Sequence, residues 1–215
     1  MAFQRARSKE QVEARKHAII LSAAKVYQEL GYEGLSFASI ASHTDFTRPT
    51  IYNYFETKEE ILILILINDL AEWCKDFNNQ FILNHIYSIK DVGTIWTKCL
   101  MQHERMIELH SILFTIIAKN VSSEYLTKFE QASKNARQQM AATLAELFPN
   151  ASEPALISFT FSALSLALGE FPVAKVSDLN QKNFSFEEIG IDFKNSYQDA
   201  IYLLLYGLEH NISTD

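Results

Sequence analysis

Residues 61–67 read ILILILI, seven consecutive isoleucines and leucines, and the element that houses them decides the fold class. Alternating β-branched residues suit a buried strand. Two neighbouring signals decide for a helix instead. Thr57 and Glu60 make a capping box just upstream. Beyond the run, Leu66, Leu70, Trp73, Phe77 and Phe81 continue at spacings of three and four.

Helical spacing dominates the remaining chain. Ile19, Ala23, Val26, Tyr27 and Leu30 share one face of an expected helix over residues 9–30, with Ser8 and Gln11 as a capping box and Gly31 as the stop. Ser36 caps a short helix reaching about residue 43, and after Thr44, Asp45 and Phe46 another short helix starts at Thr47. Further helices are expected over residues 89–103, 104–119, 123–148, 153–171 and 193–210. Residues 173–192 break the pattern and read as a long loop, the kind that is usually mobile or functional. Six glycines and four prolines in 215 residues are too few for a turn-rich all-β chain, and 48% apolar content supports a sizeable core. The expected class is all-α, with a small N-terminal domain over residues 1–56 and a larger helical domain over 57–215.

Charge is unevenly divided. The whole chain carries −7, yet residues 1–58 carry +2 and the remainder −9. Any affinity for nucleic acid must therefore be local to the N-terminal quarter. Arg5 and Arg7 read either as a flexible arm for the minor groove or as a solubilising tail. Cys74 and Cys99 lie 25 residues apart in apolar helical patterns and read as buried free thiols of a reducing cytoplasm. The opening MAFQRARSKEQ has no apolar core of a secretory signal. The longest uncharged run, residues 154–169, is 16 residues long and short for a bilayer span, so no membrane partner is expected.

The stretch TRPTIYNYF, residues 47–55, carries the function. Thr47 is a good N-cap, which puts Arg48 and Pro49 in the first turn, where a missing N–H costs little and a fixed φ helps. Ile51 and Phe55, four apart, face the core against Phe37, Ile40 and the first helix. Arg48 with Tyr52, and Thr50 with Tyr54, form further i, i+4 pairs. Two short helices joined by a three-residue turn and packed on a longer helix make a helix-turn-helix. The polar face of the second helix suits DNA. Arginine can bond guanine O6 and N7, asparagine adenine N6 and N7, and a threonine methyl can pack on thymine; tyrosine hydroxyls can donate to phosphates.

FASIASHTDFTRPTIYNYFETKEEIL resembles the N-terminal DNA-binding domain of TetR-family transcriptional regulators, through Ser36, Ile40, Ala41, Thr47, Thr50, Tyr52, Tyr54, Phe55, Lys58 and Glu59. The likeness covers residues 10–66 strongly; beyond that it rests on length and helix pattern. It implies base-facing positions for Arg48, Pro49, Thr50 and Tyr52, phosphate-side positions for Asn53, Tyr54 and Lys58, and phosphate bonding or capping for Ser36 and Thr47. Two departures stand out. Asp45 occupies the turn position usually held by glycine, and Asp tolerates the left-handed region better than most residues. Ala38 stands where some relatives have a polar contact.

Trp73, Trp96, Met101, Met106, Phe114, Tyr125 and Phe129 read by type as core. The resemblance makes some of them the lining of an inducer cavity, with His103 and His110 as polar members. Those two histidines are seven apart near Glu104 and Glu108, but no third ligand is spaced to complete a metal site, and no cofactor is expected. Residues 153–171 are apolar on nearly every face and dotted with small residues, so they must be covered on all sides. The resemblance implies a homodimer closed by that helix and by residues 193–210. The expected function is a cytoplasmic, ligand-inducible homodimeric repressor that binds a pseudo-palindromic operator in double-stranded DNA and is released by a small apolar ligand. The rivals are a DNA-binding regulator controlled by a protein partner and, from another class, a helical lipid carrier or enzyme. No Ser/His/Asp order, paired carboxylates or phosphate-binding glycine loop supports the last.

Overall fold

Short polar side chains set where the helices begin. Ser8 Oγ accepts from the Gln11 N–H at 3.2 Å, Ser36 and Ser39 close a reciprocal capping box, and Ser88 and Asp91 close another. Thr57 Oγ1 accepts from the Glu60 N–H at 3.2 Å. In this computed structural model, which describes residues 8–82, 85–179 and 193–210, the described residues form nine α-helices and no strand. They are α1 (Lys9–Gly34), α2 (Phe37–Ala41), α3 (Arg48–Tyr52), α4 (Lys58–Asn78), α5 (Ile89–Met101), α6 (Glu104–Ser111), α7 (Ser123–Leu147), α8 (Glu153–Leu179) and α9 (Phe193–Glu209). The all-α expectation holds, and the ILILILI run lies within α4.

Three boundaries differ from the sequence reading. The first helix reaches Gly34, with Gly31 inside it at φ 65°, ψ −170°. Glycine adopts that positive φ without a Cβ penalty, so the expected stop is a kink. The helix expected over residues 104–119 ends at Ser111, and after non-helical backbone a 3-10 turn covers Ile117–Lys119. Ile112, Thr115, Ile116 and Ile117 are β-branched and crowd the preceding helical turn. The helix expected to stop at residue 171 runs through Pro172 to Leu179. Proline removes one intrahelical bond, a local loss in a helix already more than four turns long. The rest of the expected loop, residues 180–192, lies outside the described residues, as do Arg5 and Arg7.

The described helices divide into two compact units. The first holds the residues up to Ile67 together with Leu113–Phe129; the second holds Asn68–Ile112 and the residues from Glu130 onward. Ile19, Ala23, Val26, Phe37, Ile40, Ile51, Phe55, Ile61 and Ile65 form the core of the first. Its later segment is tied to the start of α4, where Thr57 Oγ1 donates to the Asn120 carbonyl at 3.0 Å.

In the second unit Trp96 is fully buried and meets Trp73, Phe77 and Phe159 edge to face. Its Nε1 donates to the Tyr197 hydroxyl at 2.8 Å, which donates to the Ala163 carbonyl at 2.9 Å. A Cβ at Gly93 would collide with the Tyr202 ring, so glycine is what lets α5 and α9 approach. Cys74 and Cys99 are both buried and free. Burial, with Asp76 nearby, pushes the Cys99 thiol up to about 12, well away from thiolate chemistry.

Candidate functional site

The recognition element is built from its cap inward. Thr47 Oγ1 accepts from the Thr50 N–H at 3.4 Å and pairs with the Thr50 hydroxyl at 2.9 Å, and Pro49 falls in the first turn of α3. Ile51 is 0% and Phe55 1% exposed, which fixes which face of α3 points outward. On that outward side Arg48, Pro49, Tyr52 and Asn53 are exposed and Thr50 is half-buried. Tyr52 is held in place twice. Its ring stands edge-on to Phe37 at 4.7 Å, and its hydroxyl accepts from Arg48 Nη2 at 3.2 Å. The Arg48 guanidinium also lies 5.6 Å from the Tyr52 ring centre, so a five-residue helix presents a pre-oriented cation.

The flanking candidates are anchored as well. Ser36 is exposed, with its hydroxyl engaged in the cap of α2. Tyr54 is half-buried, and its hydroxyl accepts from Arg15 Nη1 at 3.5 Å, which brings an arginine of α1 beside the recognition element. Sequence reasoning did not single out Arg15. Lys58 Nζ donates to the Tyr32 carbonyl at 2.7 Å and sits 3.8 Å above the Tyr32 ring. An ammonium has three donors, so this anchoring leaves Lys58 able to bond an anion too. Burial and the Glu59 carboxylate, which accepts from Tyr32 at 2.6 Å, push the Tyr32 phenol up to about 12. That hydroxyl stays protonated throughout the physiological range.

The nine candidate pocket residues do not gather in one place. Trp73 and His110 line a cavity of about 10 Å³ in the second unit, together with Leu70, Ser133, Ala136, Arg137, Met140, Thr160 and Leu164. That is room for about one water. Trp96 and Met106 are buried in the same unit, where Met101 is half-buried and His103 Nε2 lies 3.1 Å from an Asp76 carboxylate oxygen. Phe114, Tyr125 and Phe129 belong to the first unit. There Phe114 is 71% exposed and Phe129 is buried, while burial, and after it the nearby Glu60 carboxylate, pushes the Tyr125 phenol up to about 12. Sequence reasoning missed Ser133, Arg137 and Thr160. The signal was present at spacing i, i+4: Ser133 and Arg137 are polar interruptions on the same face of α7 as Ala136 and Met140. Among the described residues no three His, Cys, Asp or Glu side chains come together as a metal site.

Comparison with known proteins places this arrangement. Residues 19–65 match the family model described as "Bacterial regulatory proteins, tetR family", and residues 68–212 match "Tetracyclin repressor-like, C-terminal domain". The chain belongs to the TetR family. It is a DNA-binding transcriptional regulator, not an enzyme. Over 69 residues it is 36% identical to the HTH-type transcriptional regulator HbdR of Aromatoleum sp. (strain CIB), a match spanning 32% of this chain and 30% of that relative. Two solved structures share the fold over most of the chain. One is a TetR-family regulator from Mesorhizobium loti MAFF303099, with TM-score 0.62, 12% identity and coverage of 96% and 98%. The other is a single-substitution variant of TetR from Acinetobacter baumannii AYE in complex with minocycline, with TM-score 0.59, 14% identity and coverage of 97% and 100%.

In this TetR-family chain the cavity histidine makes stability depend on pH. Burial, and secondarily the Arg137 guanidinium, hold the His110 imidazole down to about 4 against an ordinary 6.5. Between those values the unfolded chain binds more protons than the folded one. The contribution is therefore complete above about pH 6.5 and is lost as pH falls toward 4, by roughly 2–3 kcal/mol. Denaturant titrations at pH 7 and pH 4.5 check it: the parent should lose more stability than His110→Gln by about that amount. Equal losses would mean that His110 is accommodated as readily charged as neutral.

Proposed function

We propose that the chain is a homodimeric repressor whose two α3 helices enter successive major grooves of a pseudo-palindromic operator, and that a small apolar ligand releases it. Residues 1–56 act as the DNA-binding domain and residues 57–215 as the ligand-binding and dimerisation domain. The observation that carries the DNA reading is the outward face of α3, where Arg48 is held by Tyr52 while Ile51 and Phe55 are buried. Arg48, Pro49, Thr50 and Tyr52 face bases. Ser36, Thr47, Asn53, Tyr54 and Lys58 contact phosphates and set register. Half-sites then lie roughly 34–36 Å apart or slightly more.

The dimer reading is supported by apolar surface. The span Glu153–Pro172 is long and apolar enough to cross a bilayer by length and composition, and 33% of it is buried within the chain. Phe161 on α8 and Leu203 and Tyr206 on α9 are 61%, 75% and 50% exposed. Such a face is unfavourable in water and is covered by the same helices of a second copy. The protein works in the cytoplasm, where DNA and ligand are both accessible.

Ligand response is supported by the path of the chain. α6 carries His110 of the cavity and ends at Ser111; the segment that follows leads to Asn120, which accepts from Thr57 at the start of α4. A ligand that binds the DNA-incompetent arrangement more tightly shifts the population toward it. The test is a gel shift with the DNA upstream of the chain's own gene. Arg48→Ala should cost about 1–3 kcal/mol, roughly 5- to 150-fold in affinity, with relaxed discrimination at one base pair. Tyr52→Phe, which removes the hydroxyl that accepts from Arg48, should cost about 0.5–1.5 kcal/mol. Parent and variants binding every DNA alike would sink the specific-reader assignment.

A further inference from the structure

The cavity of the second unit is unbalanced in its hydrogen bonding. Trp73 Nε1 and Ser133 Oγ border it, belong to residues only 2% and 5% exposed, and have no hydrogen-bond partner. An indole N–H can only donate, and a serine hydroxyl donates readily. Native proteins leave few such groups buried and unpaired, because each forfeits its hydration, and those that remain are often used by something that binds. Arg137 stands one helical turn beyond Ser133 on the same wall. Among the described residues no carboxylate forms an ion pair with its guanidinium. No Asp or Glu lines the cavity, and Leu70, Ala136, Met140 and Leu164 make the rest of its wall apolar.

Two neutral donors and one guanidinium, with no competing acid, suit the head of an anion, and the apolar wall suits a hydrocarbon tail. We propose that this cavity is the effector site and that its ligand is an apolar monocarboxylate, its head bonded by Arg137, Trp73 Nε1 and Ser133 Oγ. The proposal rests on the ligand-responsive reading above and names the chemistry of that ligand. A single charge is the match, because one guanidinium neutralises one carboxylate, whose two oxygens fit its planar fork. His110 adds no second positive charge near neutral pH, since burial keeps its imidazole deprotonated. The cavity measures about 10 Å³, so the tail enters by repacking Met140, the most adaptable side chain in its wall. That repacking is what distinguishes the occupied arrangement, and it gives the ligand a differential affinity to act through.

Calorimetric titration of the intact chain with octanoate and 3-phenylpropanoate, each against its matched primary alcohol and amine, separates head from tail. At least one carboxylate should bind ten or more times tighter than its alcohol, with the amine weaker still. Arg137→Gln should weaken the carboxylate at least about tenfold and leave the alcohol unchanged. Ser133→Ala should weaken it several-fold while leaving the thermal midpoint equal or higher, because an unpartnered buried hydroxyl is removed; a purely structural serine would lower the midpoint. Carboxylates that do not bind at millimolar concentration, bind no tighter than the alcohols, or are indifferent to both substitutions overturn the proposal. Gel shifts run in parallel keep the two readings apart. If a carboxylate binds through Arg137 yet leaves the operator complex intact, the site stands and the inducer reading falls. If the alcohols release the operator as well as the carboxylates do, the inducer reading stands and the carboxylate assignment falls.

Discussion

Raising the salt concentration from about 50 to about 200 mM is expected to weaken the operator complex by roughly 10³- to 10⁵-fold. The range follows from about 6–10 phosphate contacts per dimer, each releasing close to one condensed counterion. What makes the expectation specific to this chain is the distribution of its charge. With −7 overall and +2 on residues 1–58, attraction to DNA is confined to the N-terminal face, and the acidic remainder repels DNA from every other approach. The slope of log affinity against log salt also assigns roles. Lys58→Ala should make it shallower by about one, as for a lost phosphate contact, while Arg48→Ala should lower affinity mainly through lost base discrimination. Fluorescence anisotropy with labelled operator over that salt range measures both. A slope equivalent to fewer than about three contacts would not support two recognition helices seated in the groove.

Trp96→Ala is expected to destabilise the protein by about 3–5 kcal/mol, the largest effect of any single substitution considered. Trp96 is fully buried on α5 and touches Trp73 and Phe77 of α4 and Phe159 of α8. Through its Nε1 it also reaches Tyr197 of α9, which in turn bonds the Ala163 carbonyl. Removing it opens a cavity among four helices and takes away the donor that Tyr197 accepts from. For a chain of this size that loss lowers the thermal midpoint by roughly 6–20 °C. Trp96→Phe keeps part of the packing and should lose about half as much. Circular dichroism melts of both variants check it; a loss under about 1 kcal/mol for Trp96→Ala would show that the indole is not the joint its contacts indicate.

The recognition element was legible before any coordinates because its signals are local. A threonine cap, a proline in the first turn and an i, i+4 apolar pair act within one or two turns of backbone, and α3 follows them from Arg48 to Tyr52. The capped start of α4 was legible for the same reason, even with a run of seven Ile and Leu that suited a strand. Ends were less legible than starts. Residues 104–119 kept helical spacing although the helix stops at Ser111, and Pro172 looked like a stop although α8 continues to Leu179. Each end depends on how nearby chain packs, a quantity that spacing does not encode.

The cavity was the least legible part. Trp73 and His110 were singled out by type, but Ser133, Arg137 and Thr160 join them from helices distant in the chain. An aromatic residue on a central helix has the same pattern whether it fills a core, as Trp96 does, or borders a void, as Trp73 does.

By itself the sequence determined the all-helical class, the helix-turn-helix and the family to which the chain belongs, because caps, turn residues and helical period are short-range physics written in adjacent residues. Only the tertiary structure decided which donors meet in the cavity, that Tyr52 braces Arg48 against Phe37, and that Arg15 stands beside Tyr54. Those are contacts between side chains on different elements, or rotamers chosen among neighbours, and they exist only once the helices have packed.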